Sequence, residues 1–117
     1  MNELIQSIFQ NFTVDGAVIP VSFMRYNGHE DTYVTYMQAN MDASLSGDDE
    51  LIGYVGFYDF DVYSKGNYLN IIESLKKLLK ENGFVWQPSR TSPDMFEDDT
   101  GFYHKTLSFA IYQQEEN

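Results

Sequence analysis

Asp59 and Asp61 come nearest to catalytic machinery in type and spacing. They stand two apart in the run Tyr58-Asp59-Phe60-Asp61-Val62. On a strand that spacing sets both carboxylates on one face, about 7 Å apart. Paired carboxylates serve as acid and base, or hold a metal ion. A hydrolase built on this pair needs His104 to converge with it in a pocket. Lys105, on a neighbouring strand, would instead neutralise the pair, which leaves an ordinary solvated face.

The remaining inventory is thin. There is no cysteine, which removes thiolate nucleophiles, zinc–thiolate sites and disulfides. The two histidines, His29 and His104, are far apart in sequence. His29 sits beside a hairpin turn and His104 in a strand, and both read as ordinary surface or half-buried residues. Neither G-x-S-x-G nor a glycine-rich phosphate loop is present. The acidic runs Asp94–Asp99 and Asp48–Glu50 lack the spacing of a calcium loop. The expectation is a chain with no enzymatic activity, no metal and no cofactor.

Two polar segments carry more information. Residues 39–50 and 88–101 each read as a mobile loop of about a dozen residues, a length that is uncommon unless functional or disordered. The first pairs the apolar tips Met41 and Leu45 with Asp48, Asp49 and Glu50. The second pairs Met95 and Phe96 with Glu97, Asp98 and Asp99. Acids around an apolar anchor fit a segment that orders on meeting a partner. These ten residues are the candidate interface.

The elements that must position them follow from periodicity. Leu4, Ile5, Ile8, Phe9 and Phe12 form the stripe of a short helix ending near Asn11, before an Asp15-Gly16 turn. Ala17–Met24 reads as a strand, edge or bulged because Pro20 cannot donate to a ladder. Asn27-Gly28 then predicts a hairpin to a strand over Thr32–Gln38. Leu51–Tyr63 is the longest strand. Its apolar face is Ile52, Tyr54, Gly56, Tyr58, Phe60 and Val62, with Gly53 and Gly56 marking a bulge or close backbone contact. Tyr68–Glu81 is the clearest helix, stopped by Asn82-Gly83, with lysines in its last turns that favour the dipole. Phe84–Gln87 and Phe102–Tyr112 complete the strands. The expected architecture is α+β: a single, mostly antiparallel sheet of four to five strands with two helices packed on one face. The strands flanking the long helix are candidates for a parallel crossover.

Composition sets the outer bounds. The chain has 117 residues, including nine Tyr, nine Phe and one Trp, enough aromatic surface for one core without staples. It reads as a single domain, 1–117. No apolar run is long enough for a transmembrane helix, and Met1-Asn2-Glu3-Leu4 lacks the basic region of a signal peptide. Acids outnumber bases 18 to 7, for a net charge of −11. Such a surface repels phosphate backbones and anionic membranes, so neither nucleic acid nor membrane is an expected partner. It fits a basic partner, or a surface past which DNA must slide.

The stretch GYVGFYDFDVYSKGNYLNIIESLKKLLKENGFVW, preceded by DTYVTYMQ and followed by an acidic loop and FYHKTLSFAIYQ, resembles the small tail-completion proteins of long-tailed bacteriophages and prophages. These are also called tail-to-head joining proteins and are related to tail terminators. The resemblance covers nearly the whole chain, in layout more than in any invariant signature. It implies a non-enzymatic virion component, made in the bacterial host cytoplasm, that forms a homo-oligomeric ring, commonly a hexamer, against the tail tube and head connector. No catalytic residues carry over. The competing reading is an acidic immunity or inhibitor protein that neutralises a basic toxin or nuclease by charge complementarity.

Overall fold

The alternation of Tyr58, Phe60 and Val62 with Asp59, Asp61 and Tyr63 dictates a strand with one dry face, and that strand is the centre of the molecule. In the computed structural model, which describes residues 1–45, 51–66 and 68–114, it is β5 (Leu51–Ser64). It pairs antiparallel with β4 (Thr32–Leu45) on one side and β8 (Phe102–Gln114) on the other. Short strands finish the sheet. β3 (Val21–Phe23) lies outside β4, while β6 (Val85–Trp86) and β7 (Met95–Glu97) both pair with β8. β1 (Thr13–Val14) and β2 (Ala17–Val18) form a separate hairpin. Asp15 and Gly16 at its turn both have positive φ, 52° and 84°, the backbone that two-residue hairpins require. The α+β class holds, with a six-stranded sheet in place of four or five strands.

Helices α1 (Asn2–Ile8) and α2 (Tyr68–Glu81) cover the dry face. α2 begins and ends where its periodicity says. Gly83, at φ 91°, ends it, and the Phe84 N–H returns to the Leu79 carbonyl at 3.0 Å. Its buried stripe Tyr68, Ile71, Ile72, Leu75 and Leu79 packs against the even positions of β5 and against Leu107 and Phe109 of β8. Phe60 is the hub, with the rings of Phe9, Tyr36, Phe84 and Phe109 centred 5.7–6.4 Å away. β6 lies parallel to β5 with β8 inserted between them.

Three expectations need correction. First, β3 runs parallel to β4, not as a hairpin through Asn27-Gly28. The chain breaks at Ile19-Pro20, and Met24, at φ 62°, reverses the backbone directly after β3. The following loop wraps around the Tyr26 side chain, whose hydroxyl accepts the Glu30 N–H at 3.0 Å and whose ring stacks on Tyr33. Second, 39–45 is not a loop. β4 continues through it, in register with Leu51–Phe57 of β5. The ladder has irregularities at Gln38/Asn40 and Ser44/Leu45; the second lies beside Gly53, which also approaches the Gln113 backbone closely, whereas Gly56 pairs regularly with Met41. Third, 88–101 is anchored along the edge of β8. A 3-10 turn at Pro88–Arg90 leads to Ser92, whose N–H donates to the Thr106 carbonyl at 2.8 Å, and then to β7.

Candidate functional site

The outer face of β5 and β8 carries the row of polar groups singled out by spacing. Cross-strand register sets Asp59 opposite Ser108, Asp61 opposite Thr106 and Tyr63 opposite His104. The Thr106 hydroxyl donates to Asp61 Oδ1, and His104 Nε2 lies 3.4 Å from the same oxygen. The imidazole stacks on Tyr63, with centroids 4.2 Å apart. Burial pushes the Asp59 carboxyl above the ordinary Asp value; the Ser108 hydroxyl opposes that, the Asp61 charge adds to it, and Arg90 opposes it. Asp61, Thr106 and His104 thus satisfy one another across the two strands, while the buried Ser108 hydroxyl has no hydrogen-bond partner among the described residues. His29 lies in the exposed loop before β4 and does not join them. Among the described residues no group of three or more His, Asp or Glu side chains is arranged to hold a metal ion.

Lys105 does not neutralise this row. It stands in register with Val62, on the helix side of the sheet, and donates to Asp94 Oδ1 at 3.1 Å. The Tyr68 hydroxyl donates to the same oxygen at 2.7 Å. These bonds, Tyr68's first and Lys105's second, hold the Asp94 carboxyl below the ordinary Asp value. Burial and the bond to Asp94 push the Tyr68 phenol well above its ordinary value. The start of the second acidic segment is therefore tied to the start of α2.

From that tie the chain enters the β7–β8 hairpin. Met95, Phe96 and Glu97 face His104, Tyr103 and Phe102 in register. The turn is closed by the Gly101 N–H to the Glu97 carbonyl at 2.8 Å and by the Thr100 hydroxyl to Glu97 Oε2 at 3.1 Å. Phe96 is 52% exposed and Met95 38%, and Asp98 and Asp99 at the tip are exposed. Apolar anchor and acids stand together on an ordered hairpin.

The other candidate tip lies on the opposite side of the sheet. Met41 is 48% exposed on β4, separated from β7 by β5 and β8. Leu45 is the last residue of β4. Asp48, Asp49 and Glu50 lie outside the described residues. β3 covers β4 only from Val34 to Tyr36. Beyond Tyr36 no strand lies on the outer edge of β4 among the described residues, and residues 37–43 are all exposed.

One site escaped the reading of the sequence. A groove of about 560 Å³ opens between the last turns of α2 and β6. Phe84, Val85, Trp86 and Phe109 form its floor, with Lys76, Lys77, Lys80 and Glu73 on the rim. Lys76 Nζ stands 3.9 Å from the centroid of the Trp86 ring and 3.7 Å from Glu73. Lys77 and Lys80 form no ion pair among the described residues. Helix-dipole reasoning accounts for these lysines without a groove; the signal that points to one is that three of seven cations fall within five residues of an acidic chain. No protein-family model matches the chain, and no curated protein matches it.

Proposed function

We propose that this chain is a non-enzymatic structural subunit of a bacteriophage or prophage particle. It assembles as a ring that joins or caps the tail at the tail end or head–tail junction. The observation that carries the reading is the edge of β4 from Met37 to Ala43, which no strand covers among the described residues. An unpaired row of backbone donors and acceptors beside exposed Met37 and Met41 is a surface built to be covered. The β7–β8 hairpin offers a second, unlike surface across the sheet. Surfaces of unlike kind let a subunit meet a neighbouring copy through one and an adjoining component through the other. The resemblance in layout to tail-completion proteins supplies the setting.

Light scattering and electron microscopy of the purified protein, alone and with isolated tail tubes, test this. Rings, or a monomer that binds at tube ends, support the reading. A monomer that ignores tubes and instead forms a tight one-to-one complex with a basic toxin overturns it in favour of the inhibitor reading. Substrate turnover overturns both.

A further inference from the structure

The geometry points to the lysine–tryptophan groove between α2 and β6 as the socket for the β7–β8 hairpin of a second copy of this chain. The inference rests on the reading of the protein as a self-assembling subunit and names the contact.

Complementarity selects the occupant. The groove has an apolar floor, in which Val85 is 62% and Trp86 37% exposed, beneath a rim where Lys76, Lys77 and Lys80 outnumber the one acid, Glu73. The hairpin has the inverse pattern, exposed Phe96 and Met95 flanked by Glu97, Asp98 and Asp99. In a chain of net charge −11, most surfaces of one copy repel most surfaces of another. The groove gathers three lysines around the half-exposed Trp86, whose ring Lys76 overlies at 3.9 Å. Lys77 and Lys80, which form no ion pair among the described residues, supply donors for Asp98 and Asp99.

A hairpin cannot reach its own groove. Tyr103, beside Phe96, and Phe109, in the groove floor, are separated by about 20 Å along β8 at strand rise. The contact is therefore between copies and head to tail, and it repeats until it closes or extends. The hairpin arrives ordered by its ladder and turn bonds, so little entropy is lost on docking.

The chain holds one tryptophan, Trp86, so its fluorescence reports on the groove. On raising the concentration of the wild-type protein at low salt, assembly by sedimentation velocity and a blue shift of Trp86 emission occur together. Both weaken at least tenfold in 0.5 M NaCl, because the rim charges are screened. Two charge-reversed variants sharpen the test. One carries Lys77→Glu with Lys80→Glu, the other Asp98→Lys with Asp99→Lys. Each alone stays monomeric, since its hairpin and groove carry like charge. Mixed one to one, they assemble, because each hairpin meets an opposite groove. Circular dichroism confirms that both remain folded. Phe96→Ser, with charge unchanged, weakens assembly at least tenfold.

Wild-type assembly with Trp86 emission unmoved, or mixtures that stay monomeric, overturns the groove contact and leaves the ring reading standing. Wild-type protein that remains monomeric at about 1 mM overturns the contact. Head-to-tail assembly through the groove, with no binding to tail tubes, supports the contact and removes the phage setting.

Discussion

Lys105 Nζ and Asp94 Oδ1 lie 3.1 Å apart on the helix side of the sheet, while Asp61, which Lys105 would reach from the other face, is bonded to Thr106 and His104 instead. One residue of phase along β8 decides the pairing. Lys105 alternates with His104 and Thr106, so the lysine cannot share their face. With Tyr68 it draws residue 94 to α2 and fixes the approach to the acidic hairpin.

The Tyr68–Asp94 bond predicts a pH-dependent cost. Tyr68→Phe deletes a donor to a carboxylate and lowers stability in urea unfolding at pH 7, by a small amount because Asp94 is exposed. The Asp94 carboxyl is held below its ordinary value of 3.8. Its contribution is thus present above that pH and fades as the pH falls through the folded-state value. Wild type and Tyr68→Phe converge in strong acid; a constant gap at all pH values contradicts the assignment.

Asp59 carries the opposite sign. Its folded-state value is raised above 3.8 by burial, so the folded protein binds the proton more tightly and wild-type stability falls as pH rises through that window. Asp59→Asn escapes the loss. It melts higher than wild type at pH 7 and equal to it at pH 3, with a gain below about 1 kcal/mol, because solvent screens a part-exposed group. Thermal melts at the two pH values check the sign.

Phe60 is fully buried among Phe9, Tyr36, Phe84 and Phe109. Phe60→Ala opens a cavity where both layers meet, at a cost of about 3–5 kcal/mol. Chemical unfolding should show that loss; a change under about 1 kcal/mol would mean the aromatic cluster does not hold the layers together.

Gly53 tests the ladder near the far end of β5. A Cβ there would lie 2.5 Å from the Gln113 carbonyl oxygen and 2.6 Å from the Tyr112 hydroxyl. Gly53→Ala must push β5 and β8 apart, at about 1–3 kcal/mol. Gly66→Ala, with nothing within 4 Å of the added carbon, is the control and leaves the melting temperature unchanged.

The parts legible in the chain are those whose signal is local. α2 was readable to its end residues because Leu75 and Leu79 recur at helical spacing and Gly83 supplies the positive φ of the stop. β5 was readable because it alternates polar and apolar over its inner half. The Asp15-Gly16 turn was readable for the same local reason. The candidate site was legible in part: Met95, Phe96 and the acids after them were found as an apolar tip with charge, but as a loop. Nothing in PSRTSPDMFEDDTG alternates strongly enough to announce a strand, and β7 forms because β8 offers it an edge.

By itself, then, the sequence decided the helices, the central strand, its dry face and the charge excess, since helical bonds close within four residues and side-chain phase is set by neighbours. Only the tertiary structure decided which edges were filled. Ladder bonds join residues far apart in the chain, so a polar segment such as 39–45 becomes strand when a partner lies beside it. The same holds for the groove. Lys76, Lys77 and Lys80 are a helix end until the strand carrying Val85 and Trp86 is laid against them, and only that juxtaposition sets charge and aromatic surface around one groove.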